Sequence, residues 1–151
     1  MASSRLMAAS SPFPPLSRRA RPSRLRSRKM SPSASSQEWV LIVEDEPDAR
    51  EMMKELVELG GCYARLAANG VEALQVLASL RPCLIVIDLM MPVMDGATLI
   101  EELKREPALA DIPYVIATSA PDRAPRGAPV LAKPIDVKAL WKWMDRSRRG
   151  N

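Results

Sequence analysis

The sequence predicts an α/β fold: a parallel sheet with helices packed on both faces. Three observations lead there. Val40-Leu41-Ile42-Val43 and Cys83-Leu84-Ile85-Val86-Ile87 are short apolar runs rich in β-branched residues. They lack the alternation of a half-exposed strand, as strands buried on both faces do. Each is followed by a stretch whose apolar residues recur at helical spacing, and strands alternating with helices imply right-handed crossovers into a parallel sheet. The chain has 151 residues, 47% hydrophobic and 26% charged, a size and balance that suit one globular domain.

The elements follow in order. The first strand starts after Trp39 and ends in Glu44-Asp45-Glu46. Pro47 and Asp48 open the first helix, with Ala49, Met52, Met53, Leu56 and Leu59 assigned to its inner face and Gly60-Gly61 as its stop. Cys62 to Ala67 reads as a shorter second strand and Asn69-Gly70 as a turn. Val71 to Leu80 is the second helix, with Val71, Leu74, Leu77 and Ala78 turned inward. The third strand is Cys83 to Ile87, stopping at Asp88. Ala97 to Arg105 is the third helix, Tyr114 to Thr118 the fourth strand, Val130 to Ala132 the fifth, and Val137 to Arg146 the last helix. On that helix Leu140 and Met144 are expected to pack inward, and an exposed Trp143 would mark a partner surface. Between the fourth and fifth strands, Pro121, Pro125, Pro129 and Gly127 predict a loop rather than a helix.

In open parallel sheets the binding crevice lies beyond the carboxyl ends of the strands. The residues there are Glu44 and Asp45 after the first strand, Asp88 after the third, Thr118 and Ser119 after the fourth, and Lys133 after the fifth. If the strand order is 2-1-3-4-5, the first and third strands are neighbours and their three carboxylates must crowd together. Crowded like charges call for a cation or a raised pKa. A hard divalent ion with oxygen ligands answers that need, and Mg²⁺, which takes one or two carboxylates and keeps several waters, fits best. Lys133 can balance an anion held beside the metal, and a threonine hydroxyl can donate to it. The simplest such anion is a phosphoryl group, with the Asp88 carboxylate as its nucleophile.

Taken singly, these residues have plainer readings: a solvated loop at Glu44–Glu46 with Asp48 capping the helix, a surface lysine at Lys133, and turn and cap chemistry at Asp95-Gly96. Asp88 is the exception, because a carboxylate ending a buried strand needs a partner. Together the plain readings require four coincidences at one sheet edge.

Composition excludes other chemistry. There is no histidine and there are two cysteines, Cys62 and Cys83, so neither a Ser-His-Asp triad nor a zinc-finger spacing nor a disulfide framework is available. The cysteines are expected to be small buried thiols in a reducing compartment, consistent with a cytoplasmic protein. The longest apolar stretch, Cys83 to Met94, contains Asp88 and Pro92, and no membrane insertion is expected. The net charge of +4 is uneven: residues 1–37 hold eight basic groups and no acidic one, leaving 14 basic and 18 acidic groups in residues 38–151. The basic Ser/Pro/Arg-rich segment 1–37 is expected to be a disordered tail. It is similar to an organellar transit peptide in composition, while Met30 is a plausible start that would leave residues 1–29 as a leader without function. Nucleic acid is not an expected partner of the acidic body.

Four segments carry a family resemblance: Val43-Glu44-Asp45-Glu46, Ala68-Asn69-Gly70-Val71-Glu72-Ala73-Leu74, Asp88-Leu89-Met90-Met91-Pro92-Val93-Met94-Asp95-Gly96, and Lys133-Pro134. Over about residues 38–146 the chain resembles the receiver domain of two-component response regulators, with residues 147–151 as a C-terminal tail. The resemblance implies a flavodoxin-like (βα)5 sheet of order 2-1-3-4-5, here with the fourth helix shortened or replaced by a loop. It implies a phosphoacceptor signalling domain rather than an enzyme acting on an external substrate, with a sensor histidine kinase or histidine phosphotransfer protein donating to Asp88. Glu44, Asp45, Asp88 and the backbone carbonyl of Met90 would hold Mg²⁺. Lys133 and either Thr118 or Ser119 would bind the phosphoryl group, and the Lys133–Pro134 bond would be cis. The fifth strand offers Val130 and Leu131 where many receivers carry a switch aromatic. The alternative expectation is a receiver-like docking scaffold that works without phosphorylation. Met90 and Ala120 offer no carboxylate to steer water, so slow self-dephosphorylation is expected.

Overall fold

A computed structural model describes residues 38–150, and the expectations for residues 1–37 lie outside the described residues. Strands β1 (Trp39–Val43), β2 (Tyr63–Ala67), β3 (Leu84–Asp88), β4 (Tyr114–Thr118) and β5 (Val130–Ala132) form one parallel sheet in the order β2-β1-β3-β4-β5. The helices are α1 (Pro47–Leu59), α2 (Gly70–Leu77), α3 (Gly96–Arg105) and α4 (Val137–Arg149). This is the flavodoxin-like fold expected from the sequence. A single 3-10 turn, Pro121–Arg123, stands between β4 and β5, because a proline-rich segment supplies too few backbone donors for an α-helix.

Alternate residues of β1, β3 and β4 serve opposite cores. Leu41, Val43, Ile85, Ile87 and Ile116 meet Ala73 and Leu77 of α2 and Leu99, Ile100 and Leu103 of α3. Val40, Ile42, Leu84, Val86 and Val115 meet Met53 and Val57 of α1 and Leu140 and Met144 of α4. Side chains repeating every two residues and buried on both faces explain why these three strands read as continuous apolar runs. The Trp141 indole donates to Leu56 O at 2.9 Å, pinning α4 to α1.

Several elements differ in detail from the expected pattern. On α1 the sheet takes Met53 and Val57, while Met52 and Leu59 are 54% and 74% exposed. A broad apolar stripe spans two adjoining rows, and only packing decides which row meets the sheet. On α2 the buried residues are Gly70, Ala73 and Leu77, whereas Val71 is exposed and Ala78 lies beyond the helix, which stops at Leu77. β2 and β3 each begin one residue later than expected, at Tyr63 and Leu84. The last helix does not end at Arg146: it runs on to Arg149, with Ser147 buried against the body and Arg148 bonded to Glu38 at 3.0 Å. Trp143 is half-buried beneath Arg146, whose guanidinium carbon lies 4.7 Å from the ring centre.

Candidate functional site at the carboxyl edge of the sheet

Sheet register builds the site. Val43 pairs with Ile87, so Glu44 and Asp88 leave adjacent strands at the same level. Asp88 pairs with Ala117, and Thr118 with Ala132, directly before Lys133. The Lys133 N–H donates to Thr118 O at 2.8 Å, which carries the fifth strand to the same edge. Glu44, Asp88 and Lys133, each at least 44 residues from the next along the chain, thereby become neighbours.

One carboxylate oxygen each from Glu44, Asp45 and Asp88 lies within 4.8 Å of the others. Glu44 and Asp88 are buried and Asp45 is half-buried. Lys133 Nζ donates to Glu44 Oε1 at 2.8 Å and stands 3.7 Å from Asp88 Oδ1. The three carboxylates therefore share a single nearby ammonium among the described residues. Burial, then the Glu44 charge, push the Asp88 carboxyl up to about 7, against the opposing pull of Lys133 and the Met90 N–H. Burial works against the Lys133 charge, but Glu44 and Asp88 more than offset it and hold the ammonium above its ordinary value. A cluster with an excess of carboxylates, one of them costly to ionise, fits a small oxygen-seeking divalent cation.

The loops around the cluster are tied down locally. Glu46, not Asp48, caps α1, its carboxylate accepting from the Ala49 N–H at 2.8 Å. Asp95 caps α3 in the same way through Thr98 N–H at 2.8 Å, the role expected for it. Gly96 follows because a Cβ there would lie 2.6 Å from Asp88 O and 2.9 Å from Leu89 Cα. Val93, between Asp88 and that cap, is 81% exposed and sits at φ 69°, a region that β-branched residues rarely adopt. Thr118 is buried, with its Oγ1 accepting from Ala120 N–H at 3.0 Å, while Ser119 is exposed. The Lys133–Pro134 bond is cis. One residue at the site was not foreseen: Arg50 Nη1 donates to the backbone carbonyls of Glu44 at 2.7 Å and Asp45 at 3.2 Å. Its only trace in the sequence is a basic residue one turn into α1 after an acidic doublet.

A 2-1-3-4-5 parallel sheet with three carboxylates and a lysine at its carboxyl edge defines the class of CheY-like signalling domains. The family model of the response regulator receiver domain matches residues 40–143, and the chain belongs to that family. The receiver domain of a signal transduction histidine kinase from Syntrophus aciditrophicus is 34% identical, with a TM-score of 0.67 over 75% of this chain and 91% of that one. The receiver domain of a sensor histidine kinase from Pseudomonas aeruginosa shares the fold at 23% identity and a TM-score of 0.67, over 72% of this chain and 95% of that one. It is described with a magnesium ion coordinated in its active-site cleft. The sensor histidine kinase TmoS of Ectopseudomonas mendocina is 38% identical over 88 residues, 58% of this chain. The chain spans only 9% of that kinase's length.

Proposed function

We propose that the chain accepts a phosphoryl group on Asp88 from a phosphohistidine of a sensor histidine kinase or histidine phosphotransfer protein in the cytoplasm, and passes the signal on by protein contact. The observation that carries this reading is the convergence of Glu44, Asp45 and Asp88 within 4.8 Å, with Lys133 Nζ 3.7 Å from Asp88. Glu44, Asp45, Asp88 and the Met90 carbonyl are the groups that would hold Mg²⁺, which when bound neutralises negative charge on the transferred phosphoryl oxygens.

The chain's own residues do the rest. An Asp88 carboxylate oxygen attacks phosphorus in line with the donor's P–N bond. That bond breaks with its electron pair passing to the imidazole nitrogen, and an acyl phosphate forms on Asp88. Lys133, already poised between Glu44 and Asp88, pairs with the phosphoryl oxygens. Thr118, whose oxygen accepts from Ala120 N–H, has its hydroxyl hydrogen left to donate to them.

Incubation with acetyl phosphate and Mg²⁺ tests the reading by intact-protein mass spectrometry. Wild type is expected to gain one phosphoryl group, and Asp88→Asn none. An equal gain in Asp88→Asn, or none in wild type, would overturn it. Met90, two positions past Asp88, and Ala120 place no carboxylate where it could orient water, so the acyl phosphate is expected to persist for minutes or longer. Chasing the phosphorylated protein in fresh buffer checks this, and decay within seconds would contradict it.

A further inference from the structure

Glu44 and Asp45 are consecutive, yet an oxygen of each reaches Asp88. In an extended chain their side chains would point to opposite faces of the sheet. The backbone must therefore leave the strand path immediately after Val43, and β1 does end there. Some of the bonds around this bend use its N–H groups: Glu44 N–H donates to Ala67 O at 3.0 Å, and Glu46 N–H to the Glu44 carboxylate at 3.3 Å. The carbonyls of the doublet itself are taken by Arg50, one terminal nitrogen of whose guanidinium donates to both, at 2.7 and 3.2 Å. The helix delivers that group, since α1 begins at Pro47 behind its Glu46 cap.

We propose that Arg50 is a positioning residue: by bonding both carbonyls of the doublet it fixes the bend that turns the Glu44 and Asp45 carboxylates toward Asp88, and so sets the affinity of the site for a divalent cation. The proposal rests on the metal-binding reading above. It also makes a prediction opposite in sign to that of simple electrostatics. A guanidinium this close to the doublet repels an incoming cation, so a residue acting through its charge alone would weaken metal binding, and removing it would tighten binding. A residue acting through geometry does the reverse. Groups that orient metal ligands from behind typically account for 10- to 100-fold in affinity, and lysine, a point charge on a flexible stem, reproduces a guanidinium's fixed fork only in part.

The test is calorimetric titration of Mg²⁺ into the full chain as wild type, Arg50→Met and Arg50→Lys, with thermal unfolding in EDTA as the fold control. Arg50→Met is expected to bind Mg²⁺ about tenfold more weakly while its unfolding midpoint in EDTA stays near that of wild type, with Arg50→Lys in between. Unchanged or tighter binding by a folded Arg50→Met would overturn the proposal. If Arg50→Met does not fold, Arg50→Lys decides: weaker binding supports positioning and equal binding refutes it. A wild type that takes up no Mg²⁺ would sink the metal-binding reading and this proposal with it, whereas normal uptake by wild type and Arg50→Met alike would sink the positioning role alone.

Discussion

Asp88 carries the largest electrostatic tension at the site, and its protonation has a consequence for stability. Its folded pKa of about 7 lies above the ordinary value of 3.8, so the folded state holds the proton more tightly than the unfolded chain does. That contribution is full below about pH 4 and is lost as pH rises through about 7. Metal-free protein is therefore expected to lose on the order of 2 kcal/mol between pH 5 and pH 8, less than the full linkage value because part of the fall lies below pH 5. Denaturation midpoints in EDTA check this, and Asp88→Asn should remove the fall. At this scale the acidic residues were legible because they stand at the carboxyl ends of β1 and β3, strands buried on both faces, and Lys133 because it directly follows the short fifth strand. The burial of the two adjacent hydroxyls was not legible, since either phase of the strand end was open, and packing buries Thr118 while Ser119 is exposed. Arg50 was invisible for a related reason: its partners are backbone carbonyls, which any sequence supplies.

Strands were easier to place than helix faces. A strand buried on both sides has no phase to misjudge, whereas α1 has apolar residues on two adjoining rows and presents Met53 and Val57 to the sheet while Met52 and Leu59 face solvent. A pair of substitutions tests that phase. Val57→Ala, at a position with no exposure, is expected to cost about 2 kcal/mol through lost burial and a cavity. Leu59→Lys should change stability by less than about 0.5 kcal/mol. Urea unfolding distinguishes them, and comparable losses would mean that the helix is turned differently. The connection between β4 and β5 was legible because proline acts through local chemistry, and the 3-10 turn at Pro121–Arg123 needs no distant contact to explain it.

Strand order is a property of the whole molecule, and it converts a pattern spread over about 90 residues into one cluster. The alternation of strands and helices gave the parallel sheet, while the order β2-β1-β3-β4-β5 came from the family resemblance rather than from any local signal. The far end of α4 was not legible because Ser147-Arg148-Arg149, polar and charged, reads as a tail until Ser147 and Arg148 find the body. Truncation after Arg146 is accordingly expected to cost roughly 1–2 kcal/mol, more than one exposed ion pair would contribute, as read from the thermal midpoint. The polarity of the sheet has a practical corollary. All the chemistry gathers where the strands finish, and strands of five residues hold the opposite connections roughly 15 Å away. The turn around Ala108–Ala110, exposed or half-buried and leading into β4, is thus a natural attachment point for a fluorescent dye or an affinity handle that reports on the protein without touching its reactive end.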